Sequence, residues 1–154
     1  MNVLTVSCHP SDDSFHASVR DAVLDTIGPA GRHVDVYRDP TLEDIAWATD
    51  LVFVYPTWWS TAPAPMIDWI AAAFSEPRRQ VVSITAITTH GSGRFVNTME
   101  GHVGKRLLML GLPSLCARKC RTLWVPLYNI DRSTHRDRAR FVERAVRSVQ
   151  RLRV

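Results

Sequence analysis

From Val3 to Cys8 the chain reads VLTVSC, a short β-branched apolar run, and it stops at His9-Pro10-Ser11-Asp12-Asp13-Ser14, a stretch dense in turn and capping residues. That is the pattern of a buried strand followed by a loop. Phe15, Val19, Ala22, Val23 and Ile27 then recur at helical spacing until Gly28-Pro29, which predicts a helix over 15–27. His33 to Tyr37 alternates like a second strand. Thr41 to Thr49 carries a short helical pattern around Leu42, Ile45 and Ala46, and Leu51 to Tyr55 is a continuous apolar strand ended by Pro56. A proline- and tryptophan-rich loop leads to a helix over 66–74, with Pro65 near its first turn, where a missing N–H does no harm, and Pro77 closing it. Gln80 to Thr88 is a fourth strand, Thr89 to Gly93 a glycine-containing loop, and 97–110 a helix ended by Gly111. A fifth strand holds Leu123-Trp124-Val125. Ser133 or Thr134 caps a last helix whose apolar stripe is Phe141, Val142, Ala145, Val146, Val149 and Leu152.

Strands alternating with helices imply right-handed crossovers and a parallel sheet, and continuous apolar strands imply that the sheet is covered on both faces. We therefore expect an α/β fold, a flavodoxin-like doubly wound five-stranded parallel sheet with helices on both faces. In such sheets ligands bind outside the carboxyl ends of the strands where strand order reverses, so the loops after the first, third and fourth strands carry the chemistry.

Composition narrows the class. At 154 residues, 45% hydrophobic and 22% charged, the expectation is one globular domain over 1–154 with a full core. No apolar run is long enough to span a membrane, and the opening MNVLTVSCHP has no basic stretch ahead of its short apolar segment, so a soluble cytoplasmic protein is expected. Cys8, Cys116 and Cys120 are too few for a disulfide framework and lack zinc-site spacing, and all three are read as reduced thiols, with Cys8 a small buried residue. The formal net charge of +4 hides a split: residues 1–77 hold 3 Lys+Arg against 11 Asp+Glu, and residues 78–154 hold 16 against 4. Such asymmetry fits a nucleic-acid surface, an anionic ligand or complementary faces of an oligomer.

Each of the three loops has an ordinary and a chemical reading. His9 to Ser14 meets a helix N-terminus, where backbone N–H groups and the helix dipole favour an anion; Ser14 and His16 add donors, Asp12 and Asp13 must point away, and Ser14 is equally an N-cap. In Pro56-Thr57-Trp58-Trp59-Ser60 two adjacent tryptophans diverge, leaving at least one for a flat ligand, a subunit contact or cover of the sheet edge. Thr88-Thr89-His90-Gly91-Ser92-Gly93 brings hydroxyls and backbone donors close to a ligand, as any glycine loop can.

Together these segments resemble the flavodoxin-like NAD(P)H:quinone oxidoreductases. The likeness lies in His9-Pro10 with Ser14-Phe15-His16, in Tyr55 to Trp59 continued by Ala62 to Trp69, and in Thr88 to Gly93. It implies a flavoprotein, with FMN or FAD, that passes hydride from NAD(P)H to a quinone-like acceptor, nicotinamide and acceptor taking one site in turn. His9, Ser14, Phe15 and His16 match the pattern H-x-x-x-x-S-F-N, with His16 in place of Asn, and would hold the flavin phosphate. Pro56, Thr57, Trp58 and Trp59 would lie along the isoalloxazine, and Thr88, Thr89, His90 and Gly91 would face its polar edge, where a donor stabilises the negative charge of the reduced ring. His90 and His102 are the implied catalytic histidines; Val96 stands where relatives have a Tyr partner to the latter. The resemblance also implies a homodimer, with Trp58, Trp59 and Trp69 candidates for its interface.

A flavodoxin-type electron carrier shares fold and cofactor, yet carriers are usually strongly acidic with a phosphate loop rich in Thr, Gly and Asn. A nucleic-acid-binding module would rest on Arg136, Arg138, Arg140, Arg144, Arg147 and Arg151 of the last helix, but no aromatics interleave with them and a solvated face explains them. We expect no nucleic-acid partner. Metal binding by His9, His16 and His90 has no supporting ligand spacing, so no metal is expected.

Overall fold

The computed structural model describes residues 1–99 and 101–153. Five strands, β1 (Val3–Ser7), β2 (Arg32–Asp35), β3 (Asp50–Thr57), β4 (Ser83–His90) and β5 (Arg121–Leu127), form one sheet in the order β2-β1-β3-β4-β5, every neighbouring pair parallel. The helices are α1 (Phe15–Ile27), α2 (Ala64–Ala73), the short α3 (Arg94–Met99) and α4 (Val103–Arg106), and α5 (His135–Gln150).

The three central strands are buried almost throughout, whereas the edge strands β2 and β5 are largely open, as continuous apolar runs and mixed ones respectively require. Side chains alternate between two cores. On one face Leu51, Phe53, Tyr55, Ile84 and Ala86 meet Met66, Trp69 and Ile70 of α2. On the other Val52, Val54 and Ile87 meet Val19 and Val23 of α1 and Phe141, Ala145 and Val149 of α5. Trp69, a sequence candidate for an interface, is instead a core residue: it is 3% exposed, its ring meets Phe53 edge-on at 6.4 Å, and its Nε1 donates to the Thr41 carbonyl at 2.9 Å. The Met66–Ala73 spacing turns it onto the same inward stripe as Ile70.

Most boundaries shift by a few residues from the sequence reading, and three of the differences bear on the site. Strand β3 runs through Pro56 to Thr57, and β4 runs to His90, so Thr89 and His90 belong to a strand and not to a loop. The predicted helix over 97–110, of which Glu100 lies outside the described residues, is broken: Gly101 and His102 take φ values of 78° and 47°, α4 restarts at Val103, and a wide π turn covers Leu107–Gly111.

Between the two capping candidates the structure selects Thr134. Its hydroxyl accepts the Asp137 N–H at 3.2 Å while the Asp137 carboxylate accepts the Thr134 N–H at 3.0 Å, a reciprocal capping box. Since α5 closes one core, Thr134→Ala is expected to cost about 1 kcal/mol of unfolding free energy, measured by urea denaturation; an unchanged midpoint would show that the cap is idle.

Candidate functional site

The loops singled out by sequence leave adjacent strands at one edge of the sheet. Ser14 is the α1 cap, extended at φ −143°, and its hydroxyl accepts the Ala17 N–H at 3.1 Å. The other N–H groups of that first turn have no intrahelical acceptor, and with the helix dipole they make a site for an anion. His9 folds back on this loop, its Nδ1 taking the Ser11 N–H at 3.0 Å and lying 3.3 Å from the Ser14 hydroxyl. Asp12, whose charge would oppose a phosphate, is ion-paired to Arg20 at 3.1 Å and Arg38 at 2.8 Å. Phe15 packs against Phe141 with ring centroids 6.1 Å apart and lies under the Arg138 guanidinium, so its side chain anchors α1 to α5.

His16 points inward. It is buried between α1 and β4, with Nδ1 3.4 Å from the Thr89 hydroxyl and Nε2 without a hydrogen-bond partner. Burial, with His9 adding to it, pushes its pKa down to about 3, so the ring is neutral at physiological pH. This is a costly environment for a titratable group, and it makes His16 a rigid neighbour of the loop in place of a charged anchor.

The other two loops meet across a cleft of about 480 Å³ lined by Pro56 to Ser60 on one side and Thr89 to Ser92 on the other, with Ile130 and Asp131 at its end. Trp58 and Thr61 exchange N–H···O bonds of 2.9 and 3.0 Å, closing a two-residue turn in which Trp59 and Ser60 both have positive φ, 51° and 58°. Such a turn suits Asn-Gly far better than Trp-Ser, and left-handed backbone costs about 1–2 kcal/mol per side-chain-bearing residue. The strained turn holds Trp59 out at 93% exposure and Trp58 at 42%. Behind it Gly104 presses onto the loop, donating its N–H to the Ser60 carbonyl at 2.9 Å; a Cβ there would meet the Thr61 Cα at 3.2 Å.

His90 occupies the opposite wall. Its Nε2 lies 3.0 Å from the Thr88 hydroxyl and 3.5 Å from that of Thr57, and its ring packs on Tyr128 with centroids 4.7 Å apart. Thr88 is buried beneath it. The structure thus brings Pro56, Thr57, Trp58, Trp59, Thr89, His90 and Gly91 into one cleft and sets His9, Ser14, Phe15 and His16 at the neighbouring strand end. His102 does not line the cleft; it stands at the α3–α4 break with Nε2 3.0 Å from the Thr98 hydroxyl. Ile130 and Asp131 were missed by sequence reasoning. They arrive because Asn129, in left-handed conformation, donates its N–H to the Ser92 carbonyl at 3.2 Å and folds the loop after β5 over the cleft. The only available signal was that a fifth parallel strand must also end at this edge.

Three of the arginines around α5 are engaged with the protein itself: Arg138 with Phe15 and the Ser133 hydroxyl, Arg144 with the Pro126 carbonyl, Arg147 with Glu143. Among the described residues no cluster has the composition of a metal site, and no helix is long and apolar enough to cross a membrane.

The depressed pKa of His16 has a thermodynamic consequence. Its ordinary value is 6.5, so below that pH the unfolded chain takes up a proton that the folded chain refuses. The stability is fully present above pH 6.5 and declines by about 1.4 kcal/mol per pH unit as pH falls toward His16's folded value. His33, lowered mainly by burial, acts in the same direction. Thermal unfolding between pH 7 and pH 4 is expected to show a steeper loss of Tm for the wild type than for His16→Asn; parallel curves would refute the assignment.

A family model described as "Flavodoxin-like fold" matches residues 1–110. No curated protein matches the sequence. Among solved structures, the NAD(P)H:quinone oxidoreductase from Methanothermobacter marburgensis superposes with a TM-score of 0.80 at 21% identity, covering 100% of this chain and 98% of that one. Smu.1420 from Streptococcus mutans UA159 gives 0.75 at 24% identity, with coverage of 98% and 100%. An FMN-dependent NADH-azoreductase from Bacillus anthracis, in complex with FMN, gives 0.75 at 12% identity with 99% of each chain covered. At these identities the likeness establishes the fold, and with the match over residues 1–110 it follows that this chain belongs to the flavodoxin-like fold family.

Proposed function

We propose that the protein is a flavin-dependent NAD(P)H oxidoreductase that reduces a quinone or a similar small acceptor. One observation carries the reading: the N-terminus of a 13-residue helix, suited to an anion, and a cleft walled by exposed tryptophans and a pinned histidine lie at the same carboxyl end of the sheet, next to the β1–β3 pair where strand order reverses. A ligand with a flat ring system and a phosphate fits that pairing. The names of the neighbours, a quinone oxidoreductase and an FMN-dependent azoreductase, support the same class.

When bound, the flavin supplies hydride transfer between the nicotinamide and the acceptor. The chain supplies binding and electrostatics. The α1 amides hold the phosphate, with Ser14 capping the turn and Asp12 neutralised by Arg20 and Arg38. Trp58 and Trp59 form one wall and exclude water. Thr89, His90 and Gly91 would offer donors to the ring, with the hydroxyls of Thr88 and Thr57 fixing the His90 imidazole in the cleft wall. Nothing in this arrangement needs His102. An electron carrier of the flavodoxin type would use the same cradle, and consumption of NAD(P)H separates the two.

Titration with FMN and with FAD is expected to quench flavin fluorescence for at least one of them, and the loaded protein should oxidise NADH or NADPH with a benzoquinone acceptor. His90→Ala should lower turnover by roughly a hundred- to a thousandfold, the range for loss of one preorganised donor. A folded protein that quenches neither flavin would overturn the proposal, and binding without NAD(P)H oxidation would favour the carrier.

We further propose a homodimer. Trp59 is joined by Phe95, Met99, Val103 and Leu110 as exposed apolar residues, the last four on the segment that abuts the Trp58–Thr61 turn through Gly104. So many large exposed apolar side chains on one short segment are unusual for a monomer. Sedimentation velocity is expected to give twice the monomer mass, and Met99→Glu with Leu110→Glu the monomer mass; a wild-type monomer at every concentration would refute it.

A further inference from the structure

A second cavity, of about 580 Å³, opens between α5 and the loop that follows β5. It shares that loop with the cleft: Ile130 and Asp131 line the cleft, whereas Tyr128, Asn129 and Arg132 line the second cavity. Tyr128 links the two further, since its ring packs on that of His90 with centroids 4.7 Å apart. The other wall is helical. Asp137, Arg140 and Arg144 stand three and four residues apart and so share one face of α5, while Arg138 on another face turns to Phe15. Neither the cleft nor the N-terminus of α1 includes these three side chains.

The lining has the chemistry of a phosphate site. Arg144 is held in place, its guanidinium donating to the Pro126 carbonyl and lying 5.6 Å from the centre of the Phe141 ring. Arg132 and Arg140 are exposed, and among the described residues neither has a carboxylate within ion-pair distance. The carboxylate in the wall, that of Asp137, is occupied by the cap: it accepts the Thr134 N–H at 3.0 Å and the Thr134 hydroxyl at 2.7 Å. Three guanidinium groups against one carboxylate leave two positive charges in excess. Leu127, Tyr128 and Phe141 add an apolar side to the same cavity. A guanidinium grips a phosphate through paired N–H bonds, and an apolar wall suits the ring of a nucleoside.

We propose that this cavity takes the adenosine 2′-phosphate end of NADPH, so that the protein selects NADPH over NADH. The inference rests on the flavin-dependent NAD(P)H reading for the nicotinamide half, which belongs in the cleft. A phosphomonoester is close to dianionic at neutral pH and matches the two excess charges. NADH has no phosphomonoester, only the pyrophosphate that joins its two nucleotides, and so cannot use the arginines in the same way. A dinucleotide can also place one half on each side of a shared wall, with the pyrophosphate between them. Arg132 from the loop and Arg140 from α5 are the specificity residues, and Arg144 fixes the floor between them and Phe141.

Isothermal titration of the full-length protein, with and without FMN, compares NADP⁺ with NAD⁺, which differ only by the 2′-phosphate. NADP⁺ is expected to bind roughly ten- to a hundredfold more tightly, the range for a charged hydrogen-bonded contact. Arg132→Ala and Arg140→Ala should each remove most of that difference while leaving the affinities for NAD⁺ and FMN unchanged. Arg136→Ala takes the same charge from α5 outside the cavity and should change nothing. Equal binding of the two dinucleotides by the wild type, binding of neither, an Arg136→Ala effect as large as the other two, or a loss of FMN affinity in the Arg132 or Arg140 variants would each overturn the proposal. The wild-type comparison depends on no variant folding. A chain that selects NADP⁺ but quenches neither flavin keeps this subsite and loses the flavin reading; one that quenches a flavin and binds both dinucleotides equally does the reverse.

Discussion

β1 and β3 lie side by side, in register from Val3 opposite Asp50 to Ser7 opposite Val54, yet the chain leaves them toward opposite faces of the sheet. α1 packs with α5 over one face and α2 over the other. A right-handed crossover on each side gives the chain no other way to place β1 next to β3 and still cover both faces. The two departing connections diverge and open a crevice between them, so the N-terminus of α1 and the tryptophan turn after β3 lie at the same end of neighbouring strands although more than forty residues separate them in sequence. Because both faces of the sheet are dry, the strand ends are also where unpaired backbone groups and polar side chains can gather without a desolvation penalty.

The crevice is bordered by choices that cost stability. His16 is buried with one nitrogen unpartnered, Trp59 and Ser60 hold left-handed backbone, and Trp59 stands almost wholly in solvent. The remainder of the domain offsets these terms with ordinary means: a reciprocal cap on α5, a T-shaped Phe53–Trp69 contact, and three central strands with nearly every side chain buried. The left-handed pair Trp59 and Ser60 lies at this edge, and no left-handed residue falls inside α1 or α5, a placement expected when backbone strain is retained for a site.

Elements with strong periodicity were readable from the sequence. The α1 limits, Phe15 to Ile27, agree because Ser14 and Gly28 punctuate the helix chemically at both ends. The end of β3 was not readable, because Pro56 looks like a terminator until its neighbour is known. Val54 directs its carbonyl to β1 and accepts the Cys8 N–H at 3.1 Å; two residues later Pro56 turns the same side, where the β1 ladder has already stopped, so its missing N–H costs nothing, and β3 continues against β4 as far as Thr57 opposite His90. The break of the predicted 97–110 helix has a similar origin. Gly101 was a visible signal, but the requirement that Gly104 sit against Ser60 and Thr61 is tertiary.

The charge split acquires a structural meaning at the loop after β1. The acidic half places Asp12 and Asp13 beside the very helix terminus suited to an anion, which pairwise electrostatics alone would forbid. Arg20 from α1 and Arg38 from the segment after β2 take Asp12, Arg38 also takes Asp35 at 2.5 Å, and Arg32 takes Asp44 at 2.6 Å, so all three basic residues in the first half are spent on local neutralisation. What then faces the crevice is backbone dipole, hydroxyl and aromatic surface, groups whose attraction for an anion is short-ranged and directional. The basic half contributes differently. Arg138 and Arg144 of α5 are turned onto Phe15, Phe141 and the Pro126 carbonyl, where their packing fixes the helix that carries the anion site. Cationic residues therefore brace this end of the sheet from behind while backbone, hydroxyl and aromatic groups face the crevice, which is why net charge counted along the sequence gives no hint of where a ligand would sit.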